Sequence, residues 1–180
     1  MKVTTTDLSG VLIVEPRIFG DERGFFLETF QAERYRDQLG MTLEFVQDNH
    51  SRSRRGVLRG LHFQKQHAQG KLIRTVRGEI FDVVADVDPR SATFGRWIGM
   101  TLSDTNHRQL WIPPGYAHGF VVLSDIADVD YKCTDYYHAP SETGVIWNDA
   151  DLDIAWPIEN PTLSEKDKRL PTLSTLASTA

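Results

Sequence analysis

The chain carries one cysteine, Cys133, in 180 residues, so it can form no intramolecular disulfide and no thiolate-held metal cluster. So little thiol fits a reducing compartment, and the expected location is the cytoplasm. Positive charge is also in short supply. The 20 Lys and Arg are outnumbered by 25 Asp and Glu, a formal net charge of −5, which argues against nucleic acid as a partner because phosphate affinity rests on basic side chains. Phosphate recognition is therefore expected to be local. Long hydrophobic runs are missing too. No uncharged apolar stretch approaches the roughly 18 to 20 residues that cross a bilayer, and the start Met1-Lys-Val-Thr-Thr-Thr-Asp7 lacks the apolar centre of a signal peptide. A soluble protein with no membrane partner is expected. Internal repeats are absent, and the only low-complexity stretch is the Ser/Thr/Ala tail 172–180, expected to be loose.

What is present reads as β-structure. A hydrophobic content of 40% supports one sizeable core and a single domain over 1–180. Short strand-like runs bounded by turn residues recur at 11–14, 24–30, 43–49, 57–64, 71–77, 79–87, 97–102, 109–112, 118–123, 129–134 and 145–147. So many closely spaced strands predict an all-β fold, a double-sheet jelly roll or barrel. The clearest helix is 31–39, with Tyr35 and Leu39 on one face and Gly40 as terminator. A second helix is expected to start at Ser164 as N-cap, with Asp167 as a capping-box acid.

Two histidines enter this core from different strands. Gly56-Val-Leu-Arg-Gly-Leu-His-Phe-Gln64 delivers His62, and the tight turn in Pro113-Pro-Gly-Tyr-Ala-His118 delivers His118. Strict alternation sends Arg59 and His62 to opposite faces, so both can address one ligand only if the strand bulges near Gly60. A metal-dependent cupin pairs His-x-His and a Glu with Pro-x-Gly-x-x-His. Here Pro113, Gly115 and His118 supply the second element, but the first reads His62-Phe63-Gln64 with no Glu following. Two strong ligands fall short of the three a stable site needs, so no metal is expected and His62 reads as a base. Neutral imidazole accepts a proton near pH 7, better with a carboxylate on its other nitrogen; Asp82, Asp86 and Asp167 are all eligible. Tyr131 has the opposite chemistry, a phenol protonated at pH 7 and able to act as general acid. Lys71 opens a strand where its ammonium reaches a cavity mouth and could hold an oxyanion. Arg23 could clamp a phosphate, Phe26 and Glu28 share a face, Gln47 and Asn49 suit a sugar or base edge, and Tyr136 and Tyr137 offer a stacking surface. Taken singly, each of these is also ordinary sheet surface or satisfied core.

Together Gly56 to Gln64, Gln69-Gly-Lys71, Val76-Arg-Gly-Glu79, Trp111 to Phe120, Tyr131-Lys-Cys-Thr-Asp-Tyr-Tyr137, Ile146-Trp-Asn-Asp149 and Leu163-Ser-Glu-Lys-Asp167 resemble the dTDP-4-dehydrorhamnose 3,5-epimerase family, from about Val11 to Pro171. The resemblance implies a cupin jelly roll that works as a homodimer without metal or cofactor. Its substrate would be dTDP-4-dehydro-6-deoxy-D-glucose, converted to dTDP-4-dehydro-L-rhamnose. Matched position by position, it implies His62 as base, Asp167 rather than a helix cap as its carboxylate, Tyr131 as acid and Lys71 as the enolate's cation. Substrate contacts would be Arg23, Glu28, Gln47, Asn49, Arg59, His118, Glu142 and Lys166, with Tyr137 stacking on thymine and Phe19 and Phe26 walling the pocket. His67 stands where relatives often carry proline, and reads as a surface residue. The same acid and base would serve a mono-epimerase or ketoisomerase acting on another dTDP-4-keto-6-deoxy sugar. A metal-dependent cupin oxygenase and a non-catalytic nucleotide-sugar binding module are the remaining readings.

Overall fold

The computed structural model of the chain describes residues 1–178. In chain order its elements are β1 (Lys2–Thr5), β2 (Leu12–Glu15), β3 (Ile18–Asp21), β4 (Gly24–Leu27), α1 (Ala32–Leu39), β5 (Gln47–Arg54), β6 (Leu58–Gln64), β7 (Lys71–Arg77) and β8 (Glu79–Asp86). They continue with β9 (Trp97–Ser103), β10 (Gln109–Ile112), β11 (Tyr116–Val122), β12 (Ile126–Cys133), β13 (Glu142–Gly144) and α2 (Leu173–Ala177). A six-stranded sheet in the order β1-β2-β10-β7-β12-β5 faces a five-stranded sheet in the order β13-β6-β11-β8-β9, and β3 and β4 form a separate hairpin. This is the cupin-type jelly roll.

Period-2 alternation decides what each sheet buries. Ile73 on β7, Ile80 and Val84 on β8, Phe120 and Val122 on β11, and Ala127 and Val129 on β12 meet between the sheets as the main core. A second cluster covers the outer face of the five-stranded sheet, where Leu61, Val83, Ala85 and Ala117 pack against Leu152, Leu173 and Leu176. Helix α1 lies on the outside of the other sheet, burying Tyr35 and Leu39 against Val14, Leu72 and Trp111. Each fully buried Leu, Ile or Val adds about 1.5–3 kcal/mol of hydrophobic stabilisation. The helix starts and stops as its sequence dictates: Gln31 accepts from the Arg34 N–H, and Gly40 takes the left-handed conformation at φ 63°.

The bulge that the sequence requires near Gly60 is present. Against β11, His118 pairs with His62 and Phe120 with Arg59, so two residues of β6 lie opposite the single Gly119. Leu61 turns out to the outer cluster, while Arg59 and His62 both line the inner cavity. Gly60 sits at φ +125°, and a Cβ there would lie 2.5 Å from Gly119 Cα. Only glycine permits so close a backbone crossing.

Several expectations are corrected. The strand expected at 43–49 is β5 at Gln47–Arg54, a polar edge strand whose exposure alternates without any apolar run. The strand expected at 145–147 is displaced to β13, and β1 and β3 were not anticipated. The helix expected from Ser164 is only a 3-10 turn, Asp167–Arg169, although Ser164 Oγ does accept the Asp167 N–H at 3.1 Å. The chain cannot continue as helix because Pro171 follows and its carbonyl is taken by the Ile146 N–H. The tail is not loose through its length. Helix α2 buries Leu173 and Leu176 over the sheet, while residues 179 and 180 lie outside the described residues.

Candidate active site

Between the sheets lies a cleft of two connected hollows, about 460 Å³ and 300 Å³ in volume. Both are lined by His62, Lys71 and Tyr131. His62 stands on β6 of the five-stranded sheet, Lys71 and Tyr131 on β7 and β12 of the six-stranded sheet.

Of the three carboxylates eligible to orient His62, the structure selects Asp167. Its Oδ1 lies 2.5 Å from His62 Nε2. Asp167 is presented by the turn in segment 162–171, pinned at one end by bonds between Leu58 N and the Thr162 carbonyl and between Thr162 N and the Gly56 carbonyl, and at the other by Ile146 N to the Pro171 carbonyl. Burial works against ionisation of Asp167, but the His62 hydrogen bond and charge, Ser164 and Lys166 outweigh it and hold the carboxyl below its ordinary range. Asp82 instead meets the other histidine, with Oδ2 2.9 Å from His118 Nε2. Asp86 takes neither, accepting from Ser91 Oγ at 2.5 Å and Thr93 Oγ1 at 2.6 Å to close the turn after β8. His62 and His118 are register partners across β6 and β11, yet each gives a ring nitrogen to its own carboxylate. Among the described residues no group of three or more His, Cys, Asp and Glu side chains is arranged to hold a metal ion.

Tyr131 is half-buried, and burial pushes its phenol up; Cys133 and Glu142 add to this while Arg59 opposes it. It therefore keeps its proton well above neutral pH. Burial acts oppositely on Lys71, pulling its ammonium below the ordinary lysine range against the influence of Cys133, Asp82 and Glu142. Arg59 lines the larger hollow, steadied by Nε donating to Ser53 Oγ at 3.0 Å.

The smaller hollow collects Gln47, Asn49, Tyr137 and Glu142. Gln47 Nε2 donates to Asn49 Oδ1 at 3.1 Å, and Tyr137 Oη donates to Glu142 Oε2 at 2.6 Å. Lys166 also pairs with Glu142, and these two bonds overcome burial to keep that carboxyl low. Gln64 and Gln69 line the same hollow without having been singled out from sequence. The available signal was phase: Gln64 is two residues from His62 on one strand. Asp82 was legible in the same way, as a carboxylate in step with buried Ile80 and Val84.

Four expected contacts do not reach this cleft. Phe19, Arg23, Phe26 and Glu28 are absent from the residues lining either hollow. They lie on or just after the β3–β4 hairpin, which projects from the body with Phe19 49% and Phe26 70% exposed. Arg23 is instead paired with Asp21, and Glu28 with Arg34. His67 sits on the rim, exposed, near Asp135 and 4.7 Å from the His138 ring, as befits a surface residue. A further hollow of about 310 Å³ on the outer face of the six-stranded sheet is lined by Asp48, His50, Arg74, Asp130 and Lys132. Its charges satisfy one another, Lys132 with Asp48 and both His50 and Arg74 with Asp130.

A family model described as dTDP-4-dehydrorhamnose 3,5-epimerase matches residues 5–175. The chain belongs to this family. The dTDP-4-dehydrorhamnose 3,5-epimerase of Escherichia coli K12 is 53% identical over 178 residues, which cover 98% of this chain and 96% of that protein. Among solved structures, a dTDP-6-deoxy-D-glucose-3,5-epimerase from Legionella pneumophila in complex with dTDP-4-keto-L-rhamnose superposes with a TM-score of 0.96 at 52% identity, covering 99% of this chain and 95% of that one. The epimerase fold also extends to ChmJ, a 3'-monoepimerase from Streptomyces bikiniensis in complex with dTDP-quinovose, with a TM-score of 0.91 at 35% identity and coverage of 97% and 89%. No helix among the described residues is long and apolar enough to cross a membrane.

Proposed function

We propose that the chain epimerises dTDP-4-dehydro-6-deoxy-D-glucose at C3 and C5, giving dTDP-4-dehydro-L-rhamnose, by proton transfer alone. The observation that carries this reading is the approach of an Asp167-backed His62 and a protonated Tyr131 to one cleft from opposite sheets. The C4 ketone acidifies the hydrogens on C3 and C5. His62, whose Nε2 is engaged by Asp167, takes a carbon-bound proton on Nδ1, and the C–H electron pair moves into the ring to make an enolate. The Lys71 ammonium faces the developing oxygen charge. Tyr131 then gives its phenolic proton to the opposite face of that carbon and the carbonyl reforms; solvent returns a proton to the phenolate, and the His62 imidazolium releases the abstracted proton to solvent. Repeating the cycle at the second carbon needs no hydride, metal or cofactor.

Binding is assigned to the rest of the cleft. Arg59 meets the pyrophosphate, Tyr137 stacks on the thymine, and Gln47 and Asn49 serve its polar edge, while His118, held by Asp82, contacts the sugar. Glu142 and Lys166 close the nucleotide end as an ion pair. The projecting hairpin supports a homodimer in which Phe19, Arg23, Phe26 and Glu28 of one protomer complete the cleft of the other. Four large apolar side chains on that hairpin, Ile18, Phe19, Phe25 and Phe26, are exposed in the single chain, a state that favours cover by a partner. The enzyme is assigned to the cytoplasm, where its single buried thiol stays reduced.

Incubation of the purified protein with the dTDP-keto sugar in deuterated water, followed by proton NMR, tests the reaction. Deuterium at both C3 and C5 of an inverted product is expected, with the same rate in a chelator. Label at C3 alone would make the protein a mono-epimerase, and chelator-sensitive activity would contradict the metal-free scheme.

A further inference from the structure

The loop after β12 carries Tyr136 and Tyr137, and every residue from Asp135 to His138 has a backbone group bonded to a glutamine side chain. Gln69 Nε2 donates to the Asp135 carbonyl at 2.8 Å. Gln64 Nε2 donates to the Tyr136 carbonyl at 3.3 Å, while its Oε1 accepts the His138 N–H at 2.8 Å. Gln47 Oε1 accepts the Tyr137 N–H at 2.9 Å. Gln64 also donates to the His67 carbonyl at 2.6 Å, so one amide joins the two loops of the rim.

The loop's other ties include polar contacts of its own side chains: Asp135 Oδ1 accepts the Tyr136 N–H at 2.7 Å, Tyr137 Oη donates to Glu142, and His138 Nδ1 lies 2.6 Å from Ser141 Oγ. Tyr136 and Tyr137 are 65% and 54% exposed, so apolar burial contributes little to its shape, whereas Gln64 is only 5% exposed. Two carbonyls and one N–H must be met at a single buried point. A primary amide offers two N–H donors and an acceptor at once. Glutamate would leave both carbonyls facing an acceptor, and methionine would leave all three groups unmet.

We propose that Gln64 is a positioning residue that fixes Tyr137 at the nucleotide end of the cleft, an inference that rests on Tyr137 being the ring on which the nucleobase stacks. Gln64 grips the backbone on both sides of Tyr137. It lies two residues beyond His62 on β6, so the strand that presents the base also sets the height of the stacking ring. The nucleotide and the reacting carbon are thereby registered to one rigid element, and the effect of Gln64 falls on binding rather than on proton transfer.

The test compares Gln64→Glu, Gln64→Met, Tyr137→Ala and the Gln64→Met/Tyr137→Ala double variant, using steady-state kinetics with the dTDP-keto sugar and calorimetric titration with dTDP. Each Gln64 variant is expected to raise KM and the dTDP Kd about tenfold with kcat at saturation within about twofold of wild type. In the Tyr137→Ala background the Gln64 change should add less than about twofold, because the ring it positions is gone. A fall in kcat with KM unchanged, or a fully additive double variant, would overturn the inference. If Tyr137→Ala binds dTDP as wild type does, the stacking assignment fails. If Tyr137→Ala weakens binding and the Gln64 variants do not, the stacking assignment survives and the positioning role alone is lost. Gln64→Met introduces no charge, so the comparison stands even where Gln64→Glu fails to fold.

Discussion

His62 and Asp167 are 105 residues apart in the chain and 2.5 Å apart in the fold, imidazole Nε2 against carboxylate Oδ1. In the proposed mechanism the carboxylate fixes the ring's orientation and stabilises the imidazolium that would form when a carbon acid is deprotonated. Asp167→Asn keeps the backbone bond to Ser164 Oγ and is expected to fold, losing about 10²-fold in kcat with KM little changed. Stability should respond too. The folded-state pKa of Asp167 lies below its ordinary 3.8, so the stabilisation it brings is fully present above that pH and disappears as the pH falls through the folded value. Urea titrations between pH 2.5 and 6 should show a shallower acid slope for the variant.

Tyr131→Phe removes the proposed proton donor and leaves His62 and Asp167 in place. Inversion should fall by at least about 10²-fold. Solvent deuterium should still enter at carbon from the His62 side with retained configuration, which NMR distinguishes from inversion. Undiminished inversion would identify a different acid.

The alkaline limb of kcat/KM should belong to Lys71. Burial lowers the pKa of its ammonium from 10.5, so it loses its proton earlier than a solvated lysine as the pH rises, while the phenol of Tyr131 moves the other way. Lys71→Arg keeps the positive charge throughout. Its profile should stay flat to higher pH than that of the parent at whatever absolute rate the new geometry allows, and coincident limbs would exclude Lys71.

Gly60→Ala tests the bulge. The added Cβ would meet Gly119 Cα at 2.5 Å and the His118 carbonyl at 2.8 Å, at a φ of +125° that L-residues avoid. A loss of at least about 2 kcal/mol is expected, readable as a lowered melting temperature. Activity per folded molecule should fall further, since Arg59 and His62 share a cleft only through this irregularity.

The proposed shared-site homodimer predicts complementation. Arg23→Ala and His62→Ala homodimers should each be impaired, and mixing them under subunit exchange should restore activity by producing dimers with one intact cleft. Failure of the mixture to recover, with exchange verified by mass spectrometry, would place Arg23 outside the partner's site.

Much of the architecture was legible in advance because the central strands are short apolar runs bounded by turn residues: β7, β8, β10 and β11 fall where Lys71 to Arg77, Glu79 to Val87, Gln109 to Ile112 and His118 to Leu123 place them. Legibility failed at the edges. The residues of β5, Gln47-Asp-Asn-His-Ser-Arg-Ser-Arg54, contain no apolar side chain, and their outward charges pair across the sheet with β12 instead of declaring a core face. The helix anticipated at Ser164 failed for the opposite reason, since local capping chemistry was correct but Pro171 and the bond to Ile146 hold the chain extended. Residue chemistry singled out His62, Tyr131 and Lys71, all of which line the cleft, whereas the choice among Asp82, Asp86 and Asp167 could not come from periodicity. Two acids on β8 and a third 81 residues beyond Asp86 become distinguishable only when the chain is closed. The hairpin residues were a different case: Phe19, Arg23, Phe26 and Glu28 line neither hollow of the single chain, and the exposure of Phe19 and Phe26 is visible only in the fold.

Tyr131 and His62, the proposed proton donor and acceptor, hang from separate sheets, so the span between them is set by the layer of aliphatic side chains that keeps those sheets apart, Ile73, Val84, Val122 and Val129 among them. That layer works as a calliper. On the proposed mechanism, residues that never meet the sugar would thereby gauge the gap into which a hexose must fit, so that trimming a methyl group from the interior bears on its seating without touching the groups that move the proton.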